Sequence, residues 1–472
     1  MNNTRQILET EQKALEINLD ERIYGAFAEI GAGQEVARYF FQVGAAAGTI
    51  AKSMSAYDKT VSDEIYGVEE KGKGRYVCES RLYRMLDHEY ALMENRLREE
   101  RPDQKFFAFA DTVAAINYQK TIKGDGWLGL RFQLDPGKAP NDVVLHVRLL
   151  DNDNRLQQQA IGILGVNLLY ACFRYASAPE TLLCALMDKL RDRVQIDMVR
   201  LEGPDFDHID NKLVCLWAVK NGLSNIAIFS PEGRAVHAGE FLYKKSVLIA
   251  KGSYRPPTLV QQDMIRCAHN QFTRDADNPS DQVFFMSEVA LDNLSENGMP
   301  DEQDFLDRTE LLCALGQTVI VSNFKHQKDL IAYFSDYKVH RIGVALGIRK
   351  LQQLVTDTCR QNPGNLLEAF GEVFLRNVRF YIYPALPTRD EQAGEGGYMN
   401  AASLETPPSI HFLYQYLLDN GNIRDIEGFN PEVLNIRHKE VLSMIQTGQT
   451  GWESMVPPEV ATLIREKGFF RS

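Results

Sequence analysis

From Ile196 to Pro384 the chain repeats one pattern: a short apolar run, then an amphipathic stretch at helical spacing. The runs are IDMVRLE, NIAIF, VLIAK, QVFFMSEV, TVIVSNF, RIGVALG and VRFYIYP. Between most of them lie sequences such as NKLVCLWAVKNGL, LVQQDMIRCAHNQF, HQKDLIAYFSDY and RKLQQLVTD. A run with no polar alternation needs cover on both faces, and the intervening helices provide it. The expected fold class is therefore α/β with a mostly parallel sheet. The strand count fits an open doubly wound sheet or a barrel, and the open sheet is the preferred form.

The flanking regions read differently. Residues 1–102 are expected to be mainly helical. ESRLYRMLDHEYALMENRLREE places Leu82, Met85, Leu86, Tyr90 and Met93 on one helix face. Residues 103–160 read as an antiparallel strand unit, with FFAFADTVAA, GWLGLRFQL and DVVLHVRLL separated by turn residues. The α/β core then spans 161–385, a linker 386–408 and a helical tail 409–472.

The net charge of −12 argues against broad nucleic-acid binding. No apolar run approaches the roughly 20 residues of a membrane-spanning helix. The N-terminal sequence is polar and helical rather than basic and then apolar, so no signal peptide is expected. The seven cysteines are scattered, with no CxxC pair. Reduced thiols in a cytoplasmic protein are the expectation.

Ligands of parallel α/β folds meet the carboxyl ends of the strands. One such end stands out, in VLIAKGSYRPPTLVQQDMIRCA. Gly252 lets the backbone approach a ligand, Ser253 can donate a hydrogen bond, and Arg255 can grip a phosphate with two nitrogens. Thr258 opens the following helix, and Lys244, Lys245 and Lys251 add charge. The competing reading is a helix-start turn with surface cations. Other strand ends offer Ser287 and Glu288 in SEVALDNL, and Ser322, Asn323, Lys325 and His326 in SNFKH. EGPDFDHID offers Asp205 and Asp207 as oxygen ligands for Mg²⁺. Its plainer reading makes Asp210 a helix cap in a solvated loop. His146 and Arg148 share one face of a strand, where a polar pocket or a solvated face is expected. GAG at Gly31–Gly33 lacks a third glycine and an expected preceding strand, so it makes a poor dinucleotide fingerprint. GAAAGTIAKS places Lys52 four residues after Gly48, unlike a P-loop, where the lysine follows the glycine directly. Both glycine patterns read as helix-packing features.

The turn resembles the first strand, turn and helix of the nucleotidyltransferase superfamily. That pattern runs G-[ST]-F-[DN]-P, then [HT]-x-G-H. Gly252, Ser253, Tyr254 and Pro256 fit, with Tyr for Phe, and Thr258 takes the first [HT] position. Arg255, Val260 and Gln261 depart from it, and Gln261 stands where the triphosphate-binding histidine belongs. More widely, FADTVAA, ALGQTVIVSNF, LLEAFGEVF and SMVPPEVATLI are similar to a bacterial family of comparable length. Members of that family often carry the label nicotinate-nucleotide adenylyltransferase.

The expected function is binding of a nucleotide or other phosphorylated metabolite at Gly252, Ser253, Arg255 and Thr258. In its sharpest form this is nucleotidyl transfer with Mg²⁺ as cofactor. The alternative is a noncatalytic scaffold with a degenerate α/β core, acting as a homo-oligomer. Neither reading involves nucleic acid or a membrane.

Overall fold

The computed structural model describes residues 5–68, 76–275, 282–294, 301–361, 364–374, 377–388, 394 and 397–471. The chain divides into two compact units, Met1–Ala227 and Ile228–Ser472. Among the described residues no helix is long and apolar enough to cross a membrane.

The first unit is built on a six-stranded mixed sheet. Its strands are β1 (Ile23–Gly31), β2 (Ile50–Ser55), β3 (Lys105–Ala114), β4 (Gly124–Phe132), β5 (Asn141–Leu149) and β6 (Val194–Glu202), in the order β2-β1-β3-β4-β5-β6. β2, β1 and β3 run parallel, whereas β3 to β6 form an antiparallel meander. The helix Glu79–Leu97 lays Leu82, Met85, Leu86, Tyr90 and Met93 on one face of this sheet, as its periodicity requires. The helices Thr10–Asn18, Glu35–Gln42 and Asn154–Tyr175 pack together as a second group.

Three sequence expectations change here. The N-terminal region has its helices, but β1 and β2 run between them. β1 was hidden because IYGAFAEIG is buried along almost its whole length and so shows no alternation. GAG therefore does follow a strand and does precede a helix. Gly44 and Gly48 are not on a packed helix either; they bracket a tight turn in which Gly44 has φ +84°. Finally, IDMVRLE is β6 and pairs antiparallel with β5, outside the parallel core. An apolar run fixes burial and says nothing about direction.

The second sheet is open and eight-stranded. Its strands are β7 (Ile226–Phe229), β8 (Ala235–Val236), β9 (Ser246–Lys251), β10 (Val283–Ala290), β11 (Thr318–Ser322), β12 (Arg341–Gly347), β13 (Val378–Tyr383) and β14 (Ile423–Asp425). Apart from Ile226 and Ala227 at the start of β7, these strands belong to the second unit. The order is β14-β13-β12-β9-β10-β11-β7-β8. All pairings from β11 across to β14 are parallel. Among the described residues the sheet is open and no barrel closes. The chain moves outward from β9 through β10 to β11, then returns to the other side of β9 with β12 and β13. This doubly wound reversal leaves a crevice beside the carboxyl end of β9. The C-terminal tail is helical except for β14, which extends the sheet edge. Its last helices form a small core around Trp452, Val460 and Ile464. Residues 389–393 and 395–396 of the expected linker lie outside the described residues.

The turn after β1 holds a buried acid pair. Glu29 and Asp111 are register partners on β1 and β3, at 3% and 0% exposure. Glu29 Oε1 accepts the Ala37 N–H at 3.2 Å, serving the first turn of a helix whose cap residue, Gln34, supplies no side-chain bond. A Cβ on Gly33 would stand 2.0 Å from both Asp111 carboxyl oxygens, so this close approach requires glycine. Burial first, then the charge of Glu35, pushes Glu29 up to about 7. Burial and the neighbouring Glu29 hold Asp111 well above the carboxylate range. A raised folded-state pKa contributes stability that is complete below the unfolded carboxylate range and lost as pH rises through the folded value. Asp111→Asn should therefore gain melting temperature relative to wild type as pH is raised from about 5 to about 8. A difference that does not vary with pH would contradict the raised carboxyl group at Asp111.

Candidate functional site

The turn after β9 sits at the reversal point and is braced from within. Tyr254 takes the left-handed conformation, φ +49°. Its ring is fully buried and its hydroxyl donates to the Ala250 carbonyl at 2.7 Å. Gly252 has no room for a side chain: a Cβ would lie 2.9 Å from Tyr254 Cζ and 3.1 Å from Gln261 Nε2. Thr258 is buried at the start of the helix Leu259–Arg274, and its N–H donates to Gln261 Oε1 at 3.0 Å. Gln261, at the position of the superfamily histidine, thus closes its own helix start. T-x-x-Q is the sequence signature of that cap, a signal legible in the chain from the beginning.

The turn's cation is similarly engaged. Arg255 Nε lies 2.7 Å from Asp304 Oδ1, and Arg308 pairs with the same carboxylate. Arg308, 2% exposed, also donates to the Ser253 carbonyl at 3.0 Å. Burial raises Asp304 above its usual range against the pull of both arginines. Gly252, Ser253, Arg255 and Thr258 are therefore together, as expected, but the contacts just described serve the turn itself.

Lys244 and Lys245 are a correction. They precede β9 and so lie at its amino end, separated from the turn by six strand residues, about 20 Å of chain. Lys245 Nζ donates to Gln282 at 2.5 Å, and the Lys244 N–H donates to Lys338. The acidic candidates are also elsewhere. Asp205 and Asp207 belong to the first unit. Asp205 Oδ2 accepts from Asn141 at 2.7 Å, Asp207 is exposed, and Asp210 caps the helix Asn211–Lys220. Mg²⁺ needs several converging oxygens, and this segment does not assemble them. His146 is a buried member of an ion network in the first unit, with Nδ1 2.5 Å from Asp197 and Arg148 Nε 3.2 Å from the same carboxylate.

The remaining candidates meet at the carboxyl edge of the second sheet. Glu288, fully buried two residues before the end of β10, accepts the Ser322 hydroxyl at 2.6 Å. The same Oε1 faces Lys251 Nζ at 3.3 Å. Asn323 is exposed beyond β11. Glu288 and Ser322 thus anchor Lys251, which lines a cavity of about 310 Å³. Lys325, His326 and Lys328 enter this cavity from the segment after β11, and Lys350 from the helix Ile348–Gln361 after β12. Lys328 and Lys350 lie in the first turns of their helices, where unpaired N–H groups add positive potential. Asp357 and Glu372 are the acidic lining residues, and Glu372 holds Lys328 at 2.7 Å. A chain of net charge −12 therefore concentrates four lysines around one crevice. Sequence reading missed Lys328 and Lys350 because they lie within helices, where a lysine looks like ordinary solvated surface.

No protein-family profile matches the sequence, and no curated protein matches it. Among solved structures, the chain is similar to competence/damage-inducible protein CihA from Agrobacterium tumefaciens. Identity is 15% and TM-score 0.26, with 36% of this chain and 98% of that chain covered. A CinA superfamily protein from Enterobacter cloacae gives 13% identity, TM-score 0.26, and coverage of 37% and 95%. Plasmodium falciparum nicotinic acid mononucleotide adenylyltransferase, complexed with APC, gives 10% identity, TM-score 0.29, and coverage of 48% and 97%. Likenesses this slight carry no inference about ligand or reaction.

Gln261→Ala should lower stability by about 1 kcal/mol through loss of the cap contact. Denaturant unfolding measures this, and an unchanged midpoint would show that Gln261 does not hold the turn.

Proposed function

We propose that the second unit binds a small phosphorylated molecule in the crevice at the carboxyl ends of β9, β11 and β12. The observation that carries this reading is the convergence of Lys251, Lys325, Lys328 and Lys350 on one cavity at the strand-order reversal. Doubly wound sheets take their ligands at such a point. Helix N-termini and lysines both favour an anion there. The buried Glu288 fixes Lys251 without entering the lining, so that lysine is held in place before any ligand arrives.

In this reading the turn 252–258 is the frame of the site. Arg255 braces Asp304, and Lys325 and Lys350 take the phosphate. Adenylyl transfer is the less supported version, because Gln261 replaces the superfamily histidine and is spent on its own helix. Binding by positioned cations requires no protein nucleophile.

Isothermal titration of the whole chain with inorganic pyrophosphate tests the assignment. Lys325→Ala combined with Lys350→Ala should weaken binding by roughly tenfold or more, as expected for loss of charge-assisted contacts. Arg255→Ala, tested at a temperature where it remains folded, should retain the affinity. Binding lost in Arg255→Ala and kept in the lysine variant would move the site back to the turn.

A further inference from the structure

Resting on that reading, we infer that the ligand is a polyhydroxylated phosphate monoester, of the sugar-phosphate class, rather than a nucleotide. Three features of the cavity point this way. Its volume of about 310 Å³ is at the lower end for small-molecule sites and suits a compact ligand such as a phosphorylated sugar. Among the described residues no Phe, Tyr or Trp lines it. A nucleobase presents a flat π-face, and proteins commonly hold it against an aromatic ring. The one ring among the described lining residues is the small imidazole of His326, next to Lys325 in the segment that supplies the lysines, and the apolar part of the lining is limited to Leu354, Ala369 and Val373.

The third feature is the wall opposite the strand ends. Gln353, Asp357 and Gln361 recur every four residues along the helix Ile348–Gln361, so they form one stripe facing the cavity. Amide groups both donate and accept, and carboxylates accept. A stripe of this kind matches a row of hydroxyl groups, each of which also donates and accepts. The lysines at the helix starts would hold the phosphate, and the stripe running away from them would read the hydroxylated body. Phosphate and hydroxyls would then lie along the helix in the order in which a sugar phosphate presents them.

The test is a titration of the whole chain with four probes: inorganic phosphate, propyl phosphate, ribose 5-phosphate and AMP. Ribose 5-phosphate should bind about tenfold more tightly than propyl phosphate, the worth of two or so neutral hydrogen bonds. AMP should bind no better than propyl phosphate. The substitution Gln361→Ala should reduce the advantage of ribose 5-phosphate while leaving propyl phosphate unchanged; Gln353 is kept because its Oε1 accepts from Lys350 Nζ at 3.0 Å. Gln361 is an exposed position at the end of its helix, so the variant keeps its fold. Equal binding of propyl phosphate and ribose 5-phosphate, or tightest binding of AMP, overturns the sugar-phosphate assignment and leaves the phosphate site standing. Absence of binding by all four probes overturns both.

Discussion

The second unit depends on β9 pairing in parallel with β10 on one side and β12 on the other. That double pairing forces the chain to reverse its direction of travel across the sheet. Everything that follows at the carboxyl edge is a consequence. The turn after β9 has to leave the sheet beside the reversal, and the helices after β11 and β12 have to start there. Two first turns, each with unpaired N–H groups, are thereby brought to one crevice. The lysines of those turns need only local placement to face it together, with Glu372 on Lys328 and Glu288 on Lys251 offsetting part of their charge. Buried Glu288 completes the arrangement by holding Lys251 at the strand end, with Ser322 holding Glu288 in turn.

The turn illustrates how a ligand-binding pattern and a structural one share residues. Gly252, Ser253 and Thr258 are the residue types that cradle an anion, and they are also what a tight strand-to-helix connection demands. Tyr254 fills the space above Gly252, Gln261 closes the helix start, and Arg308 reaches the Ser253 carbonyl. Asp304 lies between Arg255 and Arg308 and engages both guanidinium groups. Of the motif's cations, Lys251 lines the crevice, and the other lysines of that lining come from outside the motif. The first unit offers a parallel lesson. Its strand–glycine–helix turn at Gly31–Gly33 is filled by the Asp111 carboxyl group, so the shape of an anion cradle is present with a carboxyl group of the chain itself in it.

Much of the fold was legible in the sequence because burial leaves a period. The helix Glu79–Leu97, the meander β3–β4–β5 and the strands β9 to β13 all follow from apolar spacing. What was not legible is what spacing does not encode. β1 is buried throughout and carries no alternation, and β6 reads like its parallel neighbours although it runs antiparallel. The site was half legible for the same reason. Lys251, Glu288 and Ser322 were visible as strand-end residues, and Lys325 and His326 as a polar loop. Lys328 and Lys350 become neighbours only through the chain reversal, and Lys244 and Lys245 are removed from the site by the direction of β9.

The most direct measurement is hydrogen–deuterium exchange of the whole chain with and without inorganic pyrophosphate. The account predicts slowed exchange at the starts of the helices Gln327–Asp336 and Ile348–Gln361, where N–H groups and lysines would enclose the phosphate. Slowed exchange confined to the first unit, or to residues 252–258 with those helix starts unchanged, would contradict it.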